Sequence, residues 1–468
     1  MIRKTATPHT GRRRVARRDF LKTTTAAVAL PWLVPSSVFG AAAPSSRIHV
    51  GVIGTGNQAT IDLPAFLNQP DVQVVAVCDV NTGSHGYRSP EQFLGREPAR
   101  KQVDKFYADK AGAGQYRGCD AYNDFREVLG RDDINAVALI VPDHWHAPMT
   151  VMAAAAGKDI YCEKPLSLTI RHGRAMVEAV RKHGRILQTG SHFRSSPACR
   201  RACELVRNGR IGKLQRMVTS VVENNAVSPG PGWQPMPVPD GFDYPLWLGP
   251  APDAPYHEDR CFYRFRFILE YSGGQTTNFG AHANDTAQWG GGYDDTLPVE
   301  YDDLGSEWPE PGSLFTTPTK IAFRAVYADG VELICKTTRP YQGCRFEGTE
   351  GWVHFDGNRL RTNPESLKDS VIGPDEIHLP VSNPNRREDR RPLYLPDHVR
   401  NFLDAVKSRQ DPVEPVEVGH RTASLCHLGN IAMKLKRKIR FDPEAERILG
   451  DEEADAMLDR PIRAPWRV

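Results

Sequence analysis

Two glycines, an aspartate and a lysine have the types and spacing to do chemistry together. Gly54-Thr55-Gly56-Asn57-Gln58-Ala59 follows an apolar run, Ile48 to Ile53, so a strand turns tightly there and starts a helix. Gly54 permits the turn, Gly56 lets backbone approach a pyrophosphate, and Ala59 lets the helix pack closely on the strand. The new helix presents free N–H groups and a partial positive charge to phosphates. A second buried-strand run, Val72 to Cys78, ends in Asp79, a carboxylate placed to accept hydrogen bonds from a ribose. Together these residues predict a dinucleotide site. Asp79 repels a 2′-phosphate, so NAD is expected and NADP disfavoured. Lys164 closes another short strand, Asp159 to Cys162, within Glu163-Lys164-Pro165. There its ammonium stands over the edge where parallel sheets place ligands. Taken alone, the same pair reads more readily as a solvated surface Lys-Glu contact.

The elements that position these residues alternate as strands and helices. Ala136 to Val141 reads as a buried strand ending in Pro142-Asp143-His144-Trp145-His146, a loop at the ligand edge. One aspartate and two histidines crowded into four positions make a poor metal set, so cofactor-facing or helix-capping roles are expected. An alanine-rich helix from Pro148 to Ala156 leads to the Lys164 strand, and a helix from Ile170 to His183 leads to a strand from Arg185 to Thr189. Val80 to Gly118 is longer than an ordinary strand-to-helix connection, with charged helical character from Pro90 to Tyr107, and reads as an insert near the adenine end.

The first forty-odd residues read as an address. Arg12 to Arg14 and Arg17-Arg18-Asp19-Phe20-Leu21-Lys22 precede a mildly apolar run and small residues up to Ala43, the order of a twin-arginine export signal. The run holds Pro31 and Pro35 and falls short of the roughly 20 apolar residues needed to span a bilayer, so no stable membrane insertion is expected after cleavage. A periplasmic or otherwise exported location follows. Residues 1–43 carry eight of the 60 basic and one of the 57 acidic side chains, leaving a formal net charge of −4. Such a chain suggests no nucleic-acid partner. Its length suggests two domains, 44–190 and 191–468. The nine cysteines form no C-x-x-C pair; even Cys199 and Cys203, one turn apart, predict buried thiols and no metal. No internal repeat appears.

The chain resembles the glucose-fructose oxidoreductase and inositol dehydrogenase family, Gfo/Idh/MocA, in its exported branch. The matching residues are Gly54 to Ala59, Asp79, Pro142 with His146, Glu163-Lys164-Pro165, Gly273-Gly274, Gly280-Ala281-His282 and Trp289. Gly419-His420-Arg421 and His427-Leu428-Gly429-Asn430 extend the likeness towards the C-terminus. The resemblance implies an α/β protein: a Rossmann NAD-binding domain followed by an α+β domain with a large open, mainly antiparallel sheet. It also implies a homo-oligomer and a carbohydrate or polyol substrate, with Lys164 and His282 beside the nicotinamide and the reacting hydroxyl. Asn278 stands where the family usually has Asp. Redox-neutral sugar chemistry on a tightly held NAD, or sugar binding without catalysis, therefore stays open beside simple dehydrogenation. If a helix runs from Gly280 to Trp289, Asp285 lies one turn from His282 and could replace that carboxylate. A proline- and tryptophan-rich stretch, Ala226 to Arg260, reads as a long ordered loop that could wall the substrate cleft with Trp233, Tyr256, His257 and Arg260. His192 and Arg194, just past the last Rossmann strand, are further candidate substrate contacts.

Overall fold

The computed structural model describes residues 47–468 except 113, 225–226, 340 and 386–393. The export signal expected from Arg12 to Ala43 lies outside the described residues.

Two sheets organise the chain. The first is wholly parallel, in the order β3-β2-β1-β4-β5-β6. Its strands are β1 (Ile48–Ile53), β2 (Val72–Cys78), β3 (Asp120–Tyr122), β4 (Ala136–Leu139), β5 (Asp159–Cys162) and β6 (Leu187–Thr189). Nearly every residue of β1, β2, β4 and β5 is buried, as a parallel sheet covered on both faces requires. The order reverses between β1 and β4, where open α/β sheets leave a ligand crevice. Helices α1 (Ala59–Leu67), α2 (Arg96–Ala111), α3 (Phe125–Leu129), α4 (Asp143–Ala155) and α5 (Ile170–Lys182) connect these strands. The charged helix expected from Pro90 begins instead at Arg96, after Gly95 in an extended glycine-only conformation. Beyond β6, α6 (Pro197–Arg207) leads into the second half.

The second sheet has nine strands in the order β13-β12-β11-β7-β10-β9-β8-β14-β15. They are β7 (Leu214–Val221), β8 (Glu300–Asp303), β9 (Ala322–Val326), β10 (Glu332–Thr337), β11 (Cys344–Gly348), β12 (Trp352–Phe355), β13 (Leu360–Asn363), β14 (Ile439–Asp442) and β15 (Arg447–Ile448). All its pairings are antiparallel except β7 with β10. Burial alternates along β9, β10, β11 and β12, so one face is core and the other polar. The buried face, with Met217, Phe323, Leu333 and Phe346, packs against α6, α8 (Gln275–Gly291) and α10 (Val416–Leu435). The polar face carries ion pairs such as Arg216 to Glu332 at 3.0 Å. Before α8, a short α7 (Tyr244–Leu248) punctuates the long loop; α9 (Tyr394–Ser408) sends Val399, Phe402 and Leu403 back against Phe66 and Tyr161 of the first sheet's core. All nine cysteines are buried and unpaired.

Candidate active site

The glycine turn is built as its residues dictate. Gly54 has φ +91°, and a Cβ there would lie 2.1 Å from the Ile140 carbonyl oxygen, so only glycine fits between β1 and β4. A Cβ on Gly56 would sit 3.0 Å from the Tyr87 ring, and Ala59 is buried at the first turn of α1. Asp79 closes β2. Its Oδ2 accepts from the Thr55 N–H at 2.7 Å and the Thr55 hydroxyl at 3.0 Å, and its Oδ1 accepts from Asn81 N–H at 2.9 Å. Burial raises its pKa, and these donors from Thr55 and Asn81 oppose the rise. The carboxylate is thus braced against the glycine turn. Gly54, Gly56, Asn57, Gln58, Asp79, Pro142, Glu163, Lys164 and Pro165 all line one cavity, with an empty volume of about 1540 Å³ including its mouth. A bare glycine cradle, an aspartate one strand away and a lysine beyond fit a dinucleotide.

The stretch after β4 is helical from Asp143, earlier than the helix expected from Pro148. Pro148 lies inside that helix as its sixth residue, where the ring leaves the His144 carbonyl without its i+4 N–H donor. That early start turns His146 away from the cavity: its ring nitrogens face the carbonyls of Pro165 at 2.7 Å and Val141 at 2.9 Å, and it is absent from the cavity lining. His146 ties the ends of β4 and β5 together and so positions the Lys164 segment. His144 faces the Trp247 carbonyl at 3.0 Å, and burial pushes its pKa down to about 4.

Lys164 stands where the parallel sheet presents it, before a cis peptide bond to Pro165. Its ammonium donates to Asn278 Oδ1 at 3.0 Å, and Asn278 Nδ2 donates to Gln275 Oε1 at 2.9 Å. Burial lowers the Lys164 pKa, opposed by the Glu163 charge and helped by that of Arg266. Glu163 points the other way, packed so closely on Gly190 that a Cβ there would come within 2.4 Å of its Oε1. Burial raises its pKa to about 7, with Lys164 opposing.

α8 begins at Gln275, five residues before the expected Gly280, because Gly274 at φ +71° supplies the entry turn. Asn278 and His282 therefore share one face of one helix, both lining the cavity beside His192. Asn278 holds the lysine, not the histidine ring as its place four residues before His282 would suggest. The His192 and His282 rings are 4.9 Å apart, and among the described residues His192 Nε2 and His282 Nδ1 have no hydrogen-bond partner. Buried polar nitrogens without partners are costly unless a ligand engages them. Burial lowers both pKa values, His192 to about 3 and His282 well below its ordinary value, and their mutual proximity to Lys164 adds to this. Both rings are neutral near pH 7, each with a nitrogen free to hydrogen-bond a ligand in the cavity.

Other expected contacts lie elsewhere. Asp285 does not face His282; it is buried against Arg194, whose Nη2 reaches its Oδ1 at 2.7 Å, and neither residue lines the cavity. Tyr256, His257 and Arg260 also stay outside. Tyr256 packs with Phe242 and Tyr244 in an aromatic core, His257 caps a short turn at Asp259, and Arg260 donates to the Pro255 carbonyl and the Tyr271 hydroxyl at 3.1 Å each. The long loop does wall the cavity, but through Phe242, Leu246 and Trp247. Residues without any sequence assignment complete the wall: Tyr87 and Arg88 from the insert, and Phe262, Tyr263 and Arg266 just beyond the loop. The only signal for the latter group was the dense aromatic and basic spelling from Phe262 to Phe267.

Geometry and comparison agree on the class. Residues 48–191 match the Gfo/Idh/MocA oxidoreductase family model for an NAD-binding Rossmann fold, and 229–371 with 381–468 match that family's C-terminal alpha/beta domain. The chain belongs to the Gfo/Idh/MocA family of oxidoreductases, and residues 48–191 form its NAD-binding Rossmann fold. Levoglucosan dehydrogenase of Pseudarthrobacter phenanthrenivorans is 35% identical over 119 residues, 25% of this chain and 30% of that protein. A glycosyl hydrolase family 109 protein of Saccharopolyspora erythraea is 29% identical over 172 residues, 36% of this chain and 33% of that protein. The chain thus covers about a third of the length of these curated relatives. A solved levoglucosan dehydrogenase in complex with NADH and levoglucosan shares the fold with a TM-score of 0.58 at 16% identity, over 84% of this chain and 99% of that one.

Proposed function

We propose that this enzyme oxidises a hydroxyl of a sugar or polyol with NAD, residues 44–190 holding the cofactor and 191–468 most of the substrate. One observation carries the reading: the glycine cradle, Asp79, Lys164 and two unpartnered histidine nitrogens line a single cavity. When bound, NAD supplies the hydride acceptor. The carbinol gives up its hydroxyl proton and its carbon-bound hydride, two electrons in all, and becomes a carbonyl. Lys164, kept from full basicity by burial and aimed by Asn278, is placed to take that proton; neutral His282 is the second candidate acceptor. His192 and Phe193 pack against His282 and fix its ring. Asp79, with both oxygens anchored, favours a ribose diol over a 2′-phosphate, so NAD is preferred to NADP.

A second reading has redox-neutral sugar processing on a retained NAD. It is favoured by the likeness to glycosyl hydrolase family 109 proteins and by the Tyr87 ring that covers Gly56. Purified protein separates the two. Reduced cofactor accumulating with a sugar or polyol and added NAD supports net oxidation. Sugar conversion without such accumulation, on NAD that leaves only on denaturation, supports the second; neither signal across a broad sugar panel overturns both. We further propose export by the twin-arginine route. Arg17→Lys with Arg18→Lys would then hold the precursor in the cytoplasm, and unchanged export would refute it.

A further inference from the structure

Two guanidinium groups at the lysine end of the cavity have no acidic partner. Arg266 stacks on the Tyr263 ring, its Cζ 3.9 Å from the ring centre, and donates to the Tyr263 carbonyl; Arg88 lies over the same ring at 5.8 Å. Among the described residues neither makes an ion pair with a carboxylate. Asp143, the acid whose charge acts most on Arg266, has its Oδ2 taken by the Ser272 hydroxyl at 2.5 Å. Glu163 faces Gly190. A guanidinium has five donors in a planar fork, and half-burying one without an anion, as at Arg266, is costly; Arg88 stands exposed beside it. Here Arg266, Arg88 and Lys164 crowd positive charge around one space. The chain answers its buried Arg194, by contrast, with the carboxylates of Asp285 and Asp294.

The position of the pair says which anion it meets. A second cavity shares the wall of Arg88, Tyr263 and Phe279 with the first, and continues past Glu223, Gln275 and Tyr341. No residue of the glycine turn borders it, nor does Asp79. Gln275, which steadies Asn278 and through it Lys164, faces this same space. Both guanidiniums line the cavity that holds the proton-accepting lysine, and Arg88 also borders the second cavity, which leads away from the dinucleotide cradle. Aromatic faces at Tyr263, Phe279 and Tyr341 suit the C–H face of a sugar ring, with Phe279 and Tyr341 rings 5.6 Å apart.

We propose that Arg266 and Arg88 form an oxyanion clamp at the lysine end, so that the sugar bound there carries a carboxylate, as a uronic or aldonic acid does. This rests on the sugar-oxidoreductase reading above and narrows its substrate class. A forked guanidinium matches a carboxylate through two parallel hydrogen bonds, which gives orientation as well as affinity. The other available source of oxyanion is the pyrophosphate of NAD itself, and the test separates the two.

Calorimetric titration of NAD into the full chain, then of matched sugars into the NAD-saturated protein, reads this directly. The pairs are glucuronate with glucose, galacturonate with galactose, and gluconate with sorbitol. At least one acid should bind about tenfold or more tighter than its neutral counterpart, with affinity falling as salt rises. In Arg266→Gln that preference should collapse, while NAD affinity stays within about twofold. Arg88→Gln, on an exposed side chain, repeats the test with little risk to folding. Neutral sugars binding as well as every acid would overturn the clamp and leave the sugar reading standing. Loss of NAD affinity equal to the loss of acid affinity would assign the guanidinium to the pyrophosphate. Binding of NAD but of none of the six sugars would overturn the sugar reading, and the clamp with it.

Discussion

Arg194 is buried and Arg266 half-buried, and they have opposite surroundings. Arg194 is 2% exposed and held by Asp285 at 2.7 Å and Asp294 at 2.7 Å, with Glu414 at 3.9 Å and the Trp289 ring beneath it at 5.2 Å. Burial and the Asp285 charge push the Glu414 carboxyl well above its ordinary range, so the acids are more than enough to balance one guanidinium. Arg266 has two rings, those of Tyr263 and Phe265, one carbonyl and a cavity. The first cation is satisfied by the fold and holds α8 to the segment after β6. The second is left unsatisfied by the fold and waits for a ligand. Both arginines follow aromatic residues in the sequence, and only their surroundings distinguish them.

Removing each cation tests the contrast most sharply. Arg194→Met strands the fully buried Asp285 without its counter-ion, a change that typically costs about 3–5 kcal/mol. Arg266→Met removes only the weakest of several supports of buried Asp143, which keeps its Ser272 hydrogen bond and the nearby Lys164 charge, and should cost about 1 kcal/mol or less. Denaturant unfolding of the two variants with no cofactor added measures the difference. If they unfold alike, the division between a structural and a ligand-facing arginine is wrong.

Lys164 should divide the same way, with a somewhat smaller effect that falls on rate instead of stability. Its ammonium has one neutral partner, Asn278, and faces the cavity. Lys164→Ala should lower turnover by roughly a hundredfold, as loss of a positioned proton acceptor does, with melting nearly unchanged. Near-normal turnover would reduce the lysine to a cofactor or substrate anchor and leave His282 as the proton acceptor.

Why the sequence placed some of this and not the rest follows from the range of the interactions involved. Gly54, Gly56, Asp79 and Lys164 are held by local rules: a turn needing positive φ, a strand's end, a sheet edge. Strands β1, β2 and β5 coincide with their expected bounds for the same reason, since continuous apolar runs bounded by turn residues define them. The partners of Arg194, Asp285 and Arg260 are set by tertiary packing, and no local pattern encodes them. Asp285 is one helical turn from His282, as spacing required, yet a charge 91 positions away claims it. The place of His146 at the end of β4, at the ligand edge, points it to the cofactor, but the earlier helix start rotates it onto two carbonyls. Arg88 and Arg266 went unassigned because an arginine among aromatics carries no sign of whether an acid will meet it.

The smallest change sharpens the comparison from inside the site, by giving Lys164 the carboxylate that Arg194 already has. Asn278 Oδ1 accepts from the Lys164 ammonium at 3.0 Å, so Asn278→Asp places a negative charge at that contact. An opposite charge this near favours the protonated lysine and raises its pKa by about 1–3 units. The sign for activity follows from the form that works. A proton acceptor must be neutral, so turnover rises with pH as Lys164 deprotonates, from a pKa that burial already holds below 10.5. The variant's rising limb should therefore move to higher pH, and turnover near neutrality should fall about tenfold, by loss of the neutral fraction. The aspartate also loses the N–H that Asn278 donates to Gln275, which loosens its aim. A pH profile of turnover for both proteins checks this. A limb that stays in place would show that Lys164 does not titrate in the rate-limiting step, and that the proton passes to His282, whose ring is neutral throughout this range.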